Sequence, residues 1–182
     1  MMFPELKTDR LTLRQFKHTD LEPLCTHINN FAVSKMLAEV PHPYTKEDGA
    51  WWIDFCQKTP LSEKIAWVIE TPAGFSGAIT LMKLNSDKPI LGYWLTEHLW
   101  ANGYVSEAAE AVVSYGFKTL GLPVIYSSAL EENTASLRIL GKLGFQKPVR
   151  GFSTPQSRDG ERLANISVSL TQKQWVTRLG EA

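Results

Sequence analysis

The chain has 182 residues, enough for one domain with a sizeable core, and 43% of them are hydrophobic against 21% charged. Nineteen basic residues balance nineteen acidic ones, so no excess charge points to a nucleic-acid or membrane partner. Cys25 and Cys56 make neither a disulfide framework nor a metal spacing, no apolar run approaches a membrane span, and the opening MMFPELKTDR lacks a signal-peptide pattern. A cytoplasmic protein is the expectation.

Leu11 to Phe16 alternates apolar and polar residues and reads as the first strand. Asp20 sits where an N-cap belongs, ahead of the periodic residues Leu21, Leu24, Cys25 and Ile28. Asn29-Asn30 ends that helix, and a second short one is expected from Ala32 to Glu39, stopped by Pro41-His42-Pro43. Thr45 with Asp48 forms a capping-box pattern before a helix carrying Trp51, Trp52, Phe55 and Cys56. On that face Cys56 reads as a buried thiol. Ile65 to Glu70 and Phe75 to Leu84 are strand-like, joined by the hairpin signal Thr-Pro-Ala-Gly.

The most informative stretch follows, from Leu91 to Leu122. A strand, Ile90 to Leu95, turns through Thr96 to Asn102 into a long helix near Gly103. The helix carries Ala108, Ala111, Val112 and Tyr115 at i, i+3, i+4 and i+7. The first amides of a helix lack intrahelical acceptors and its macrodipole is positive there, so Asn102, Gly103, Tyr104, Val105 and Ser106 could bind an anion. An ordinary strand-to-helix connection, whose glycine serves only the turn, is the plainer reading of this stretch alone.

Val124 to Leu130 forms another strand, and Asn133 opens a short helix with Ile139, Leu140 and Leu143 on one side. Gly144 stands at its C-cap. Phe145 to Phe152 and Leu163 to Leu170 pair around a polar loop, Ser153 to Arg162, before a last helix from Thr171 to Leu179. No repeat or shift in composition divides the chain, so residues 1–182 read as one domain of mixed α/β or α+β class.

Four motifs in order give the chain a resemblance to the GNAT superfamily of N-acetyltransferases. It is most similar to the RimJ/RimL-type branch, which acetylates ribosomal-protein N-termini. Thr8-Asp9-Arg10-Leu11-Thr12-Leu13-Arg14 looks like that branch's opening, and Leu91-Gly92-Tyr93-Trp94-Leu95 like its fourth strand. Trp100 to Ala108 resembles its W-G-x-G-Y-A-T-E-A signature, and Asn133 to Phe145 its N-x-x-S…K-x-G-F helix.

The resemblance implies a mostly antiparallel central sheet, flanked by helices and splayed between its fourth and fifth strands to hold acetyl-CoA. The pyrophosphate would meet the amides of Asn102 to Ser106. The pantetheine arm would pair with the backbone of Trp94, Leu95 and Thr96, whose amides could also polarise the thioester. Asn133 would reach the pantetheine and Ser136 the sulfur. Ala101 replaces the family's first glycine and Val105 its usual alanine, adding bulk near the pyrophosphate. Leu140 stands where many GNAT enzymes carry a tyrosine that protonates the departing thiolate, leaving Ser136 as the best-placed proton donor.

Attack by an amine needs the neutral base and an exit for its proton. Glu97 and His98, just past the strand, are the candidates, with a solvated carboxylate and an ordinary loop histidine as the plain alternatives. Glu107 reads as support for the helix N-terminus. The acceptor pocket is expected between Ala38–Trp52 and Ser153–Arg162, with Glu39, His42, Tyr44 and Trp51 able to contact an amine. Arg158 and Arg162 read as solvated loop charges. The leading expectation is transfer to a protein N-terminus, such as that of a ribosomal protein. A small-amine acetyltransferase and a non-catalytic acyl-CoA-binding module are the alternatives.

Overall fold

A computed structural model describes residues 2–180. Its strands are β1 (Leu6–Lys7), β2 (Thr12–Gln15), β3 (Lys64–Thr71), β4 (Gly74–Met82), β5 (Ile90–Leu95), β6 (Val124–Leu130), β7 (Gln146–Ser153) and β8 (Leu163–Thr171). They form one sheet in the order β1-β2-β3-β4-β5-β6-β8-β7. Helices α1 (Leu21–Ile28), α2 (Phe31–Ser34), α3 (Lys46–Lys58), α4 (Tyr104–Lys118), α5 (Thr134–Leu143) and α6 (Gln172–Leu179) flank it. None of the described helices is long and apolar enough to cross a membrane.

The centre of the sheet is buried on both faces, which is why β3 and β4 read as nearly continuous apolar runs. Ile65, Trp67 and Ile69 pack with Val112 and Phe117 of α4, Leu140 of α5 and Trp175 of α6. The alternate residues Ala66 and Val68 pack with Leu24 and Ile28 of α1 and Ile53 of α3. The Thr45–Asp48 capping box opens α3, and Gly144 ends α5 with φ 94°.

Every pairing is antiparallel except β5 with β6, which is parallel and holds only through Ile90↔Tyr126 and Leu91↔Ser127. Past Leu91 the two strands run on without pairing, so the sheet opens between them. The expected splay is present. It falls between the fifth and sixth strands because β1, a two-residue strand on Leu13 and Thr12, precedes the first expected one.

Two local readings change. Asp20 does not cap α1 with its side chain. Its carboxylate receives both terminal nitrogens of Arg14, each at 2.9 Å, and the Lys17 amide at 2.8 Å. The second helix spans only Phe31–Ser34, capped by the Asn30 side chain on the Ala32 amide. Just beyond it, the Ala38 carbonyl accepts from the Gln156 amide at 3.1 Å, which ties the segment to a distant loop.

Candidate functional site

The site is built on the free edge of β5. The Thr96 amide donates to the Ser76 carbonyl at 2.8 Å. Antiparallel alternation therefore turns the backbone groups of Trp94 and Thr96 toward β4 and those of Tyr93 and Leu95 toward the opening. The Leu91 carbonyl agrees with this sense, since it accepts the Ser127 hydroxyl at 2.9 Å from β6. The Leu95 carbonyl is taken by the Trp100 indole at 2.8 Å. The backbone groups of Tyr93 and the Leu95 N–H thus face the opening, whereas the Trp94 and Thr96 amides, expected to serve a ligand, face β4.

The chain then makes a short 3-10 turn, Glu97–Leu99, and reaches two left-handed residues, Ala101 at φ 62° and Gly103 at φ 80°. Glycine meets that conformation freely, whereas an alanine in it costs about 1–2 kcal/mol. The departure at Ala101 thus appears first as backbone strain. Ala101→Gly is expected to stabilise the protein by about 1 kcal/mol, the gain being trimmed by the entropy of the unfolded glycine. Denaturant unfolding of the two proteins checks this.

Gly103 is the N-cap of α4, and the first amide to bond back within the helix is Glu107 N–H, to the Gly103 carbonyl at 3.1 Å. The amides of Tyr104, Val105 and Ser106 are left pointing out of the helix end. Asn102 braces the turn, its side-chain amide donating to the carbonyls of Leu99 and Trp100, both at 3.1 Å. Arg10 braces it from outside. Its guanidinium donates to the Asn102 carbonyl at 2.9 Å and to Glu107 at 2.7 Å, and lies 4.6 Å over the Tyr104 ring. Glu107 also accepts from the Thr8 hydroxyl at 2.5 Å and the Arg10 amide at 2.9 Å. Burial opposes its charge, but these donors outweigh burial and hold the carboxyl below its ordinary value. Beyond supporting the helix, Glu107 fastens the N-terminal segment to the start of α4.

On the other wall, Asn133 caps α5 by accepting the Ser136 amide at 3.1 Å, leaving its side-chain N–H₂ for a ligand. The Ser136 hydroxyl lies 2.8 Å from the Tyr93 phenol. Leu140, 1% exposed, belongs to the core and not to the site. Tyr93 is the residue that sequence reasoning missed. Burial pushes its phenol up to about 12 against the pull of Ser136, so it stays protonated and can orient the serine hydroxyl.

At the end of β5, Glu97 is exposed and accepts the Asn30 side-chain amide at 2.6 Å. His98 presents Nδ1 to the Thr96 hydroxyl at 3.2 Å, and His27 of α1 reaches the same hydroxyl at 3.1 Å.

The four acceptor candidates are not gathered at one point. His42 lies against Phe31 and 3.4 Å from the Ser34 hydroxyl. Glu39 is exposed, while Tyr44 is buried under α1 and α3, where burial raises its phenol well above the ordinary value. Trp51 is 63% exposed and stacks on Phe55 at 5.1 Å, an outward position on α3. The Ser153–Arg162 loop docks at one end of the segment expected to face it, through the Gln156 amide on the Ala38 carbonyl at 3.1 Å, and on α2 through the buried Ser157 hydroxyl on the Ser34 carbonyl at 3.1 Å. Arg158 is not a free loop charge, since it pairs with Glu132 and Glu161, both at 3.1 Å. Arg162 lies 4.1 Å over the Phe152 ring.

The family model for the acetyltransferase (GNAT) domain matches residues 10–146. The chain is 34% identical over 151 residues to the uncharacterized N-acetyltransferase YoaA of Bacillus subtilis, covering 80% of this chain and 85% of that one. Among solved structures, spermidine N-acetyltransferase from Vibrio cholerae, in complex with CoA and spermine, superposes with a TM-score of 0.78 at 16% identity, covering 93% of this chain and 99% of that one. RimJ of Mycobacterium smegmatis, in complex with CoA-disulfide, superposes with a TM-score of 0.76 at 15% identity, covering 94% and 90%.

Proposed function

Because the chain belongs to the GNAT acetyltransferase family, we propose that it moves the acetyl group of acetyl-CoA to a protein N-terminal α-amine, such as that of a ribosomal protein. Residues 1–182 then act as one catalytic domain. The observation that carries the reading is the open edge of β5 running directly into the bare amides of α4. Tyr93 and Leu95 pair with the pantetheine arm, the Leu95 N–H polarises the thioester carbonyl, and Asn102 to Ser106 receive the pyrophosphate. Asn133 reaches the pantetheine. Ser136, oriented by Tyr93, protonates the leaving sulfur, while Glu97 and His98 stand on the side from which the amine's proton departs.

The α-amine reading is supported by the likeness to RimJ and by the docked loop, which favours an acceptor that enters by its end. A small amine is the second reading, favoured by the likeness to spermidine N-acetyltransferase.

Acetyl-CoA-dependent thiol release against two panels tests the proposal. One panel holds peptides with free Ser, Ala, Thr and Met N-termini; the other holds spermidine, amino sugars and free amino acids. Release with peptides alone supports the first reading, and release with small amines alone replaces it by the second. Binding of acetyl-CoA with silence from both panels would overturn both acceptor readings as stated and point to an acceptor outside the panels or to the acyl-CoA-binding module. In the active pairing, Ser136→Ala is expected to lower kcat about 10²-fold with little change in acetyl-CoA affinity. Equal kcat/KM in the two proteins would remove Ser136 from the mechanism.

A further inference from the structure

Two histidines far apart in the chain, His27 on α1 and His98 in the turn after β5, converge on one threonine. The Thr96 hydroxyl lies 3.1 Å from His27 Nδ1 and 3.2 Å from His98 Nδ1. A hydroxyl carries one proton, so it can donate to only one of the two nitrogens. For both bonds to form, the other Nδ1 must bear hydrogen and donate to the threonine oxygen. The arrangement is therefore a directional chain of hydrogen bonds.

Its surroundings hold it in place. The His27 ring is parallel to Phe75 of β4 at 6.2 Å and tilted on His98 at 5.8 Å. Thr96 is 4% exposed, whereas His98 is open to solvent. Glu97, the carboxylate of the same turn, is occupied by Asn30. Burial first, and the neighbouring His98 second, hold His27 below the ordinary imidazole value, so it is neutral near pH 7 and free to accept a proton. Thr96 directly follows Leu95, whose N–H lines the opening, so the middle member of the chain stands one residue from that opening and His27 packs against it.

We propose that the proton released by the attacking amine leaves the site along His27, Thr96 and His98. The inference rests on the acetyl-transfer reading above. His27 Nε2 takes the proton from the acceptor nitrogen as the new C–N bond forms, and His27 passes its Nδ1 hydrogen to the Thr96 oxygen. Thr96 passes its own hydrogen to His98 Nδ1, and His98 releases its Nε2 hydrogen to water. One proton enters and one leaves, and the reversed chain resets when the imidazoles exchange tautomer through solvent. His27 is the group that meets the amine. Thr96 and His98 act through it.

Thr96→Val removes the hydroxyl but keeps the backbone bond to Ser76 and both imidazoles, and Thr96→Ser restores the hydroxyl. The readouts are the pH dependence of kcat with spermidine or a Ser-initiated peptide, whichever turns over, and acetyl-CoA affinity by calorimetry. The relay predicts a fall in kcat of about 10²-fold for Thr96→Val, with affinity within twofold and kcat within a few-fold of wild type for Thr96→Ser. His27→Gln should show the same fall and lose the acid limb of the profile. Wild-type kcat and profile in Thr96→Val would overturn the relay and leave the transferase reading standing. Absence of thiol release from wild type with any amine would overturn both.

Discussion

Gly77→Ala is expected to lower Tm by about 6–12 °C, from a cost of about 3 kcal/mol, and to abolish measurable acetyl-CoA binding. A Cβ at Gly77 would lie 2.3 Å from the Trp94 carbonyl oxygen and 2.9 Å from the Leu95 Cα. Both are backbone atoms of the strand that carries the free edge, so relief requires β5 to move away from β4. That movement displaces the Leu95 N–H and the turn behind it. Gly141 is the matching control: it lies within α5, and a Cβ there meets nothing within 4 Å. Gly141→Ala should gain about 1 kcal/mol and leave binding intact. Thermal unfolding and calorimetry on both variants read the contrast. Unaltered binding in Gly77→Ala would show that the edge at Tyr93 and Leu95 does not hold the ligand.

Arg14→Met is expected to destabilise the protein by about 3–5 kcal/mol. Arg14 is 9% exposed and joins Asp20, 4% exposed, through two bonds and Glu70 through a third at 2.8 Å. Removing the guanidinium strands the Asp20 carboxylate in the interior with, among the described residues, the Lys17 amide as its remaining donor. The charge on its own is the costly part, so the double variant Arg14→Met with Asp20→Leu should recover much of the loss. Urea unfolding of the three proteins tests this. A single variant within 0.5 kcal/mol of wild type would contradict the account, since surface substitutions fall in about that range.

How far the molecule could be read from its residues depended on whether the deciding partner was local. The Thr45–Asp48 box, the Gly144 cap and the β5–turn–α4 passage are written in neighbouring residues, and each appears where its pattern places it. Asp20 carries the same local signal for a cap, but an arginine six residues back in β2 claims its carboxylate. The strand β1 has no periodicity of its own, being two residues defined by pairing with β2. The direction of the β5 amides hangs on a bond to Ser76, and the meeting of His27 with His98 on the placing of α1 against the end of β5. Tyr93 was missed for a similar reason. A tyrosine in an apolar strand reads as core until α5 brings Ser136 to its hydroxyl.

The central claim is that acetyl-CoA lies along the β5 edge and over the α4 N-terminus. Elsewhere on the surface an open hollow of about 420 Å³ is lined by Thr8, Glu110, Ser114, Lys118 and Trp175 among others. Backbone amide NMR during titration with acetyl-CoA separates the two. The account predicts shifts concentrated at Tyr93, Leu95, Asn102 to Ser106, and Asn133 to Ser136. Shifts confined to Glu110, Ser114, Lys118 and Trp175, or none at all, would contradict it.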